Sequence, residues 1–279
     1  MLKLFWNNFK KTNDCIILAT PLILFLSALS WYYSYARDSI DNIPKLILAI
    51  ATMLIMISGC LSAWVYMAKK TIRMSNKVYI FEKDRAKAFG DLILSLPRGI
   101  GRLFLPMLGV ISITLVAFSI LILADTLLIS KYIGTIDLSL LTTEKLALSS
   151  QELLNEINAL PRQEILAINF WYLIFAIGTM IFSFFGILWI PEIVYAEKNP
   201  FKALYNSMKK IIITFPKTLG LFVYINILSI GISILNTLLM VNPISYFLVL
   251  IIYYYFLVYI VVLLFRYYEQ TFIKSGTEN

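Results

Sequence analysis

The sequence has no histidine, and its only cysteines are Cys15 and Cys60. Histidine is the commonest metal ligand and the commonest general acid or base, so its absence removes the usual basis for a metal centre or an acid–base active site. Two cysteines in apolar surroundings are typical of small buried hydrophobic residues rather than of a disulfide framework. The sequence also lacks a GxSxG turn and a Walker A loop. We therefore predict no catalytic residue, no metal site and no cofactor.

Charged residues are absent from six long apolar stretches of the chain. A helix needs about 20 apolar residues to cross about 30 Å of hydrocarbon, and each stretch is close to that length. Hydrophobic residues make up 60% of the sequence, whereas soluble domains have roughly 45–50%. We predict an all-α polytopic membrane protein, a single membrane domain over 1–279. The six predicted spans are 15–35, 46–68, 103–124, 170–190, 218–240 and 244–265.

The uncharged spans also narrow the possible functions. Proton or ion coupling normally needs an ionisable group within the membrane, and the predicted spans contain none. They contain no pair of carboxylates either, which argues against an intramembrane aspartyl protease. Asp14, Asp125 and Glu192 lie at span edges. We expect Glu192 to reach water or to pair with Lys198, and a role in a proton relay is the alternative.

Lysine and arginine are concentrated in alternate connecting segments. Residues 69–102 are rich in both, and residues 191–217 are rich in lysine, whereas 36–45 is balanced and 125–169 is acidic. Short basic loops stay on the cytoplasmic side of a membrane. We therefore predict a multi-pass protein of the cell membrane (plasma or inner), with both termini cytoplasmic and 125–169 external. A short amphipathic helix is expected within this external segment, at 149–160.

The formal net charge of +8 is therefore concentrated on the predicted inner face. Each base close to a membrane surface adds about 1 kcal/mol of attraction to anionic headgroups. Nucleic acid is not an expected partner, because the bases lie at span ends and no basic domain stands apart from them. We expect anionic membrane lipids and membrane proteins as partners. The candidate contacts are Lys83, Arg85, Lys87, Lys198, Lys202, Lys209 and Lys210.

The two basic inner loops share a pattern. Residues 82–89 and 197–204 both read Glu-Lys-x-x-x-Lys-Ala followed by an apolar residue, and a proline follows at Pro97 and Pro216. Apolar residues continue at helical spacing in both copies, and residues 2–9 show the same spacing. We predict repeated transmembrane hairpins, each preceded by an amphipathic interfacial helix in the headgroup plane. In the second and third copies we expect the proline to end this helix.

A short motif in the second basic loop resembles a known group of membrane proteins. Residues 200–207 read Pro-Phe-Lys-Ala-Leu-x-x-Ser and follow a span with an aromatic and acidic end. This resembles the inner-loop signature shared by the membrane domain of glycerophosphodiester phosphodiesterases and several uncharacterised six-helix bacterial families, YciC-like among them. The resemblance extends over most of the chain in the layout of its spans. It implies an auxiliary or structural membrane role without hydrolase activity, since the sequence has no soluble phosphodiesterase domain.

Polar residues recur along the fifth span at spacings of three and four, which places them on one helix face. An unpaired amide in lipid costs several kcal/mol, so we expect this face to contact protein or a water-filled cavity. Folding the last hairpin about Asn242 brings Tyr255 level with Ser229, which would let its hydroxyl pair with the face. Hydrogen bonds between helices, a substrate path and a partner surface are the alternatives. The candidate polar stripe is Asn226, Ser229, Ser233, Asn236 and Tyr255.

These patterns support two main functional hypotheses. The first is a non-enzymatic integral membrane protein with an auxiliary, scaffolding or lipid- and partner-organising role, acting through its basic inner helices. The alternative is a small permease or channel-like subunit for a neutral solute, with a path along the polar stripe. An integral membrane enzyme acting on lipid is a third hypothesis, although the sequence offers no catalytic pattern for it.

Overall fold

The computed structural model describes residues 2–75, 82–134, 161–239 and 242–273. Within these residues, every element of regular secondary structure is helical. Six helical segments are long and apolar enough to cross a membrane, which confirms the prediction of an all-α polytopic membrane protein. The helices are α1 (Leu2–Asp14), α2 (Ala19–Ser39), α3 (Ile43–Met74), α4 (Glu82–Ile93), α5 (Ser95–Tyr132), α6 (Arg162–Gly186), α7 (Trp189–Tyr195), α8 (Pro200–Ile213), α9 (Phe215–Leu239) and α10 (Pro243–Tyr268).

Several helices extend well beyond the apolar stretches that identify them. α3 has 32 residues and α5 has 38. At about 1.5 Å per residue, α5 is roughly 57 Å long, compared with about 30 Å of hydrocarbon. Its ends, which carry Arg98 and Lys131, therefore continue the helix beyond the apolar part of a bilayer. A run of apolar residues identifies only the part of a helix that lies in the hydrocarbon, and the helix continues into polar residues on either side. The lengths predicted from the apolar runs are therefore too short.

Asparagine side chains begin three of the helices. The side-chain oxygens of Asn42, Asn199 and Asn242 each accept a hydrogen bond from a backbone N–H in the following turn, at 2.9 to 3.2 Å. A proline occupies the first or second helical position after each of them. This combination satisfies otherwise unpaired N–H groups and uses a residue that has no N–H to satisfy.

Proline has a different position from the predicted one in the two inner loops. α4 ends at Ile93 and α8 ends at Ile213, so both helices stop before Pro97 and Pro216 are reached. Each proline lies instead in the first turn of the next span, α5 or α9. Proline suits a first turn because an N–H there would have no acceptor within the helix. The proline therefore begins the span and does not end the preceding helix.

The fourth span is interrupted near its end. α6 stops at Gly186, and α7 restarts at Trp189. In an unbroken helix, Pro191 would leave the carbonyl of Ile187 without a donor and its ring would clash with it. The break avoids this conflict, and the backbone N–H of Glu192 donates to the carbonyl of Leu188 at 2.9 Å. As a result, α7 is a separate short helix that carries Glu192 and Tyr195.

The chain divides into two compact units. The first joins Met1–Ile111 with Phe185–Asn279, and the last span is its most buried span. In this unit α10 packs against α1, α2, α3, α7 and α9, and most of its buried residues lie between Phe256 and Tyr268. The core of this unit therefore lies around the C-terminal half of α10.

The second unit, Ser112–Phe184, contains the C-terminal part of α5 and most of α6. Within it, the Trp171 and Phe175 rings stack with centroids 5.2 Å apart, and the Trp171 indole N–H donates to Thr126 at 3.3 Å. Gly178 lies directly against Leu121, so the two helices are in close contact. The external helix predicted at 149–160 lies outside the described residues.

Four of the five tryptophans fall into two groups. Trp6 and Trp31 are exposed, as expected of side chains that anchor a protein at a membrane interface. Trp64 and Trp189 are buried, and their indole N–H groups donate to the carbonyls of Leu18 and Pro200 at 2.9 and 2.8 Å. These two therefore hold chain segments together within the first unit and are not the interfacial anchors that their positions near span ends indicate.

Candidate functional site

Glu192 is the most completely buried carboxylate among the described residues. It lies in the first turn of α7 and only 1% of it is exposed. Burying a charge is costly unless it is paired and hydrogen-bonded, so its surroundings must supply donors. Two other helices do this: α8 presents Lys210, and α10 presents Tyr268.

The three side chains form a closed set of hydrogen bonds. The Lys210 ammonium donates to Glu192 Oε2 at 2.5 Å, and the Tyr268 hydroxyl donates to the same oxygen at 2.6 Å. Lys210 also donates to the Tyr268 hydroxyl oxygen at 2.6 Å. Because each group comes from a different helix, this arrangement fixes α7, α8 and α10 relative to one another.

Aromatic rings and further charges extend this arrangement to α3. The Tyr195 and Tyr268 rings stack with centroids 5.5 Å apart. The Lys69 ammonium lies 4.5 Å from the Tyr195 ring centre and donates to the Val194 carbonyl at 2.6 Å. This carbonyl is near the C-terminus of α7, where carbonyls lack donors within the helix and a cation is stabilised. The contact therefore joins α3 to α7.

We call this group of side chains the inner cluster. Its three bases and two carboxylates belong to α3, α7, α8 and the end of α10, and Arg73 lies 3.7 Å from Glu269 across it. Removal of one partner from a buried ion pair typically costs about 3–5 kcal/mol, so the cluster is a strong restraint on these helices. Its members are Lys69, Arg73, Glu192, Tyr195, Lys210, Tyr268 and Glu269.

The inner cluster corrects two expectations drawn from the sequence. Glu192 neither reaches water nor pairs with Lys198, because α8 turns back along α7 and brings Lys210 to it. Lys210, predicted to contact lipid or a partner, is instead engaged inside the protein. The pair is 18 residues apart, which local spacing does not reveal. One feature of the sequence indicated this contact. The small residues Ala203 and Ser207 lie on the packed face of α8, and Lys210 follows Ser207 by about one turn, close to that face.

The remaining predicted lysines of this loop are exposed. α8 has three distinct faces: its small residues Ala203 and Ser207 are buried against the protein, whereas Phe201 and Tyr205 are each 69% exposed. Helical spacing places Ile212 on the same exposed apolar face. Lys202 and Lys209, two turns apart on the helix, form a basic edge between these two faces. Lys198 is exposed just before the helix.

The equivalent residues of the first basic loop are only partly described. Lys87 is exposed on α4, and the apolar side chains of Phe89 and Ile93 on the same helix are exposed as well. Lys83 and Arg85 lie on the helical backbone of α4, but their side chains are outside the described part of the chain. The described part of α4 therefore combines a base with exposed apolar residues, as α8 does.

The polar stripe of the fifth span is divided by the structure. The Asn226 amide donates to the Phe222 carbonyl at 2.8 Å, and the Ser229 hydroxyl donates to the Ile225 carbonyl at 2.9 Å. Such bonds to the preceding turn satisfy a polar side chain within its own helix. A groove of about 570 Å³ lies between α9 and α10, and its polar lining includes Ser229, Ser233, Asn236, Tyr246 and Tyr253.

Tyr255 does not belong to this stripe. Its hydroxyl donates to Asn13 at 2.8 Å on α1, and its ring packs edge-on against Phe9. The register expected from folding the hairpin about Asn242 is nevertheless close to the observed one. Two hydrogen bonds between hydroxyl groups join α9 to α10 at this register. They connect Tyr224 with Tyr259 at 2.9 Å and Thr218 with Tyr267 at 2.8 Å, and they do not involve Ser229 or Tyr255.

No protein-family model, curated protein or solved structure matches this chain. The motif at 200–207 nevertheless has a clear structural basis: Pro200 begins α8, and Ala203 and Ser207 form its buried face. Among the residues that the structure describes, no group of three or more His, Cys, Asp or Glu side chains is placed to hold a metal ion. Charged and aromatic side chains are instead brought together in the inner cluster, where Glu192, Lys210 and Tyr268 meet.

Proposed function

We propose that this multi-pass membrane protein has a non-enzymatic role in the cell membrane and organises anionic lipids or partner membrane proteins at its cytoplasmic face. Both termini lie on that face in this proposal, in agreement with the distribution of lysine and arginine. The auxiliary role implied by the resemblance to six-helix bacterial membrane families is part of the same proposal.

The observation that supports this role is the three-faced helix α8. Full burial of a large apolar side chain contributes about 1.5–3 kcal/mol, yet Phe201, Tyr205 and Ile212 remain exposed on one face. A lipid interface would cover this face and leave Lys202 and Lys209 beside the headgroups. Because the inner cluster fixes α8 through Lys210, the basic edge is held in a constant position.

A charge-reversal experiment tests this proposal. We expect the variant Lys202→Glu/Lys209→Glu, purified in mild detergent, to retain fewer anionic lipids than the unaltered protein, as measured by mass spectrometry of extracted lipids. At about 1 kcal/mol per base, loss of the two lysines reduces retention at this site by more than tenfold. Lys131→Glu, at the opposite end of α5 from the inner loops, is the control. Equal retention by all three proteins would contradict the proposal.

The groove between α9 and α10 supports a second candidate function, a path for a neutral solute. Ser233 and Asn236 line it, whereas Asn226 bonds within its own helix and does not. This candidate predicts that Asn236→Ala reduces the uptake of glycerol or urea into liposomes containing the protein, and that Asn226→Ala does not. Uptake equal to that of protein-free liposomes would exclude this path for these solutes.

A further inference from the structure

A second group of bases lies on the first unit, away from the basic edge of α8. On α3, spacings of three and four place Tyr66, Lys69 and Arg73 on one face of the helix. The side chain of Arg73 is 60% exposed. Arg102, on α5, is also exposed and lies beside this face. None of these three bases was a candidate in the sequence analysis.

A close helix crossing brings Arg102 to α3. A Cβ atom added to Gly99 would lie 2.8 Å from both the Ser62 carbonyl oxygen and Tyr66 Cβ, so α5 meets α3 at a residue without a side chain. One turn later, Arg102 donates to the Tyr66 hydroxyl at 3.0 Å, with its guanidinium carbon 5.7 Å from the ring centre. The position of Arg102 is therefore set by the packing of two rigid helices.

The charges at this position are not balanced. Arg73 has a carboxylate nearby, Glu269 at 3.7 Å, but Lys69 bonds to a backbone carbonyl, and Arg102 has no carboxylate partner among the described residues. Lys69 and Arg73 share one aromatic neighbour, because the Lys69 ammonium and the Arg73 guanidinium carbon lie 4.5 Å and 5.7 Å from the centre of the Tyr195 ring. Three bases thus face one carboxylate, and an added anion would relieve their repulsion.

The chemistry of the three bases fits a phosphate group in particular. A guanidinium offers parallel N–H donors that match the oxygens of a phosphate, and basic sites between transmembrane helices are typical of anionic headgroup binding. Apolar surface also begins next to the bases: Leu105, one turn beyond Arg102 on α5, is 74% exposed. A lipid whose phosphate contacts Arg102 could lay its acyl chains along this surface.

We propose that Lys69, Arg73 and Arg102 form a binding site for a phosphate group, supplied by an anionic phospholipid or by a soluble phosphate ester. We call it the α3–α5 phosphate site. It does not depend on the role proposed for α8, because Lys202 and Lys209 contribute nothing to it. Substitutions in the phosphate site test this proposal, and substitutions of Lys202 and Lys209 test the role of α8. The failure of one proposal can therefore be distinguished from the failure of the other.

The test is a titration of the full-length protein in detergent with phosphatidylglycerol, followed by native mass spectrometry. We expect Arg102→Gln to weaken binding about fivefold, since one base near the headgroup contributes about 1 kcal/mol. Arg102→Lys keeps the charge without the planar donors, and we expect an intermediate loss. Lys217→Gln, which removes an exposed base from the first turn of α9, is the matched control and should leave binding unchanged.

Competition identifies the source of the phosphate. Displacement of phosphatidylglycerol by inorganic phosphate or glycerol 3-phosphate, lost in Arg102→Gln, would support a site for soluble phosphate esters. Retention of the lipid in their presence would support a headgroup site. Equal losses in Arg102→Gln and Lys217→Gln, or no loss in either, would overturn the proposal. Thermal unfolding of Arg102→Gln shows that the variant is folded, so that a lack of binding is interpretable.

Discussion

Glu192 is buried, and Lys210 and Tyr268 supply the hydrogen bonds that water would otherwise make to its carboxylate. Both donors reach the same carboxylate oxygen, and they come from two other helices, α8 and α10. Removal of either Glu192 or Lys210 alone should destabilise the fold more than replacement of both by apolar residues, because removal of one leaves an unpaired buried charge. The contacts of Glu192 therefore hold α7, α8 and α10 in fixed positions relative to one another.

We expect Lys210→Gln to lower the free energy of unfolding by about 3–5 kcal/mol, because it leaves the buried Glu192 carboxylate without a cation. Lys209→Gln removes the neighbouring exposed base, and we expect it to change stability by less than about 0.5 kcal/mol. Thermal or chemical unfolding of the two variants in the same detergent measures the difference. Equal stability of the two would show that the Glu192–Lys210 contact does not restrain the fold.

The sequence was informative about residue types and less so about their partners. The six spans could be predicted because each depends on about 20 consecutive residues. The partner of Tyr255 could not, since Asn13 is 242 residues away and only the packing of α1 on α10 brings them together. Glu192 was recognised as unusual, but the choice between Lys198 and Lys210 depended on the direction in which α8 leaves α7.

For the helices, the residues at their ends and connections determine where each helix begins and stops. Asparagine caps and first-turn prolines set where α3, α8 and α10 begin. The Pro191 break creates α7, which no apolar pattern indicates because the fourth span reads as one continuous run. The helices α1, α4 and α8 could be predicted from spacing, whereas their amphipathic character and their place in the headgroup plane stay predictions.

The crossing of α3 and α5 offers a test at this scale. We expect Gly99→Ala to lower the free energy of unfolding by about 1–3 kcal/mol, because the new methyl group would overlap the backbone of α3 at Ser62. Gly101 has no atom within 4 Å of such a methyl group, so Gly101→Ala should be neutral or stabilise the helix by up to about 1 kcal/mol.

Thermal unfolding in detergent compares the two glycine variants. If Gly99→Ala were as stable as Gly101→Ala, the contact between the two helices would be looser than the structure indicates. Phosphatidylglycerol binding by Gly99→Ala adds a second measurement. We expect weaker binding, because displacement of α5 moves Arg102 away from Tyr66 and from the two bases of α3.

At the scale of the whole molecule, charge is the property that joins the fold to the proposed function. The chain carries a formal net charge of +8, and its basic loops alternate with balanced or acidic ones. Some of the described bases hold helices together, as Lys69 and Lys210 do, whereas a second group, Lys87, Lys202 and Lys209, is exposed beside apolar residues. The second group accounts for the proposed contact with anionic lipid.

Site-directed labelling of single cysteines tests the orientation on which this account depends. In a background with Cys15 and Cys60 replaced by alanine, a membrane-impermeant maleimide is applied to intact cells and to opened membranes. We expect Tyr132→Cys to react in intact cells, and Lys87→Cys and Lys202→Cys to react only after the membrane is opened. Labelling of either lysine position in intact cells, with Tyr132→Cys protected, would contradict the account.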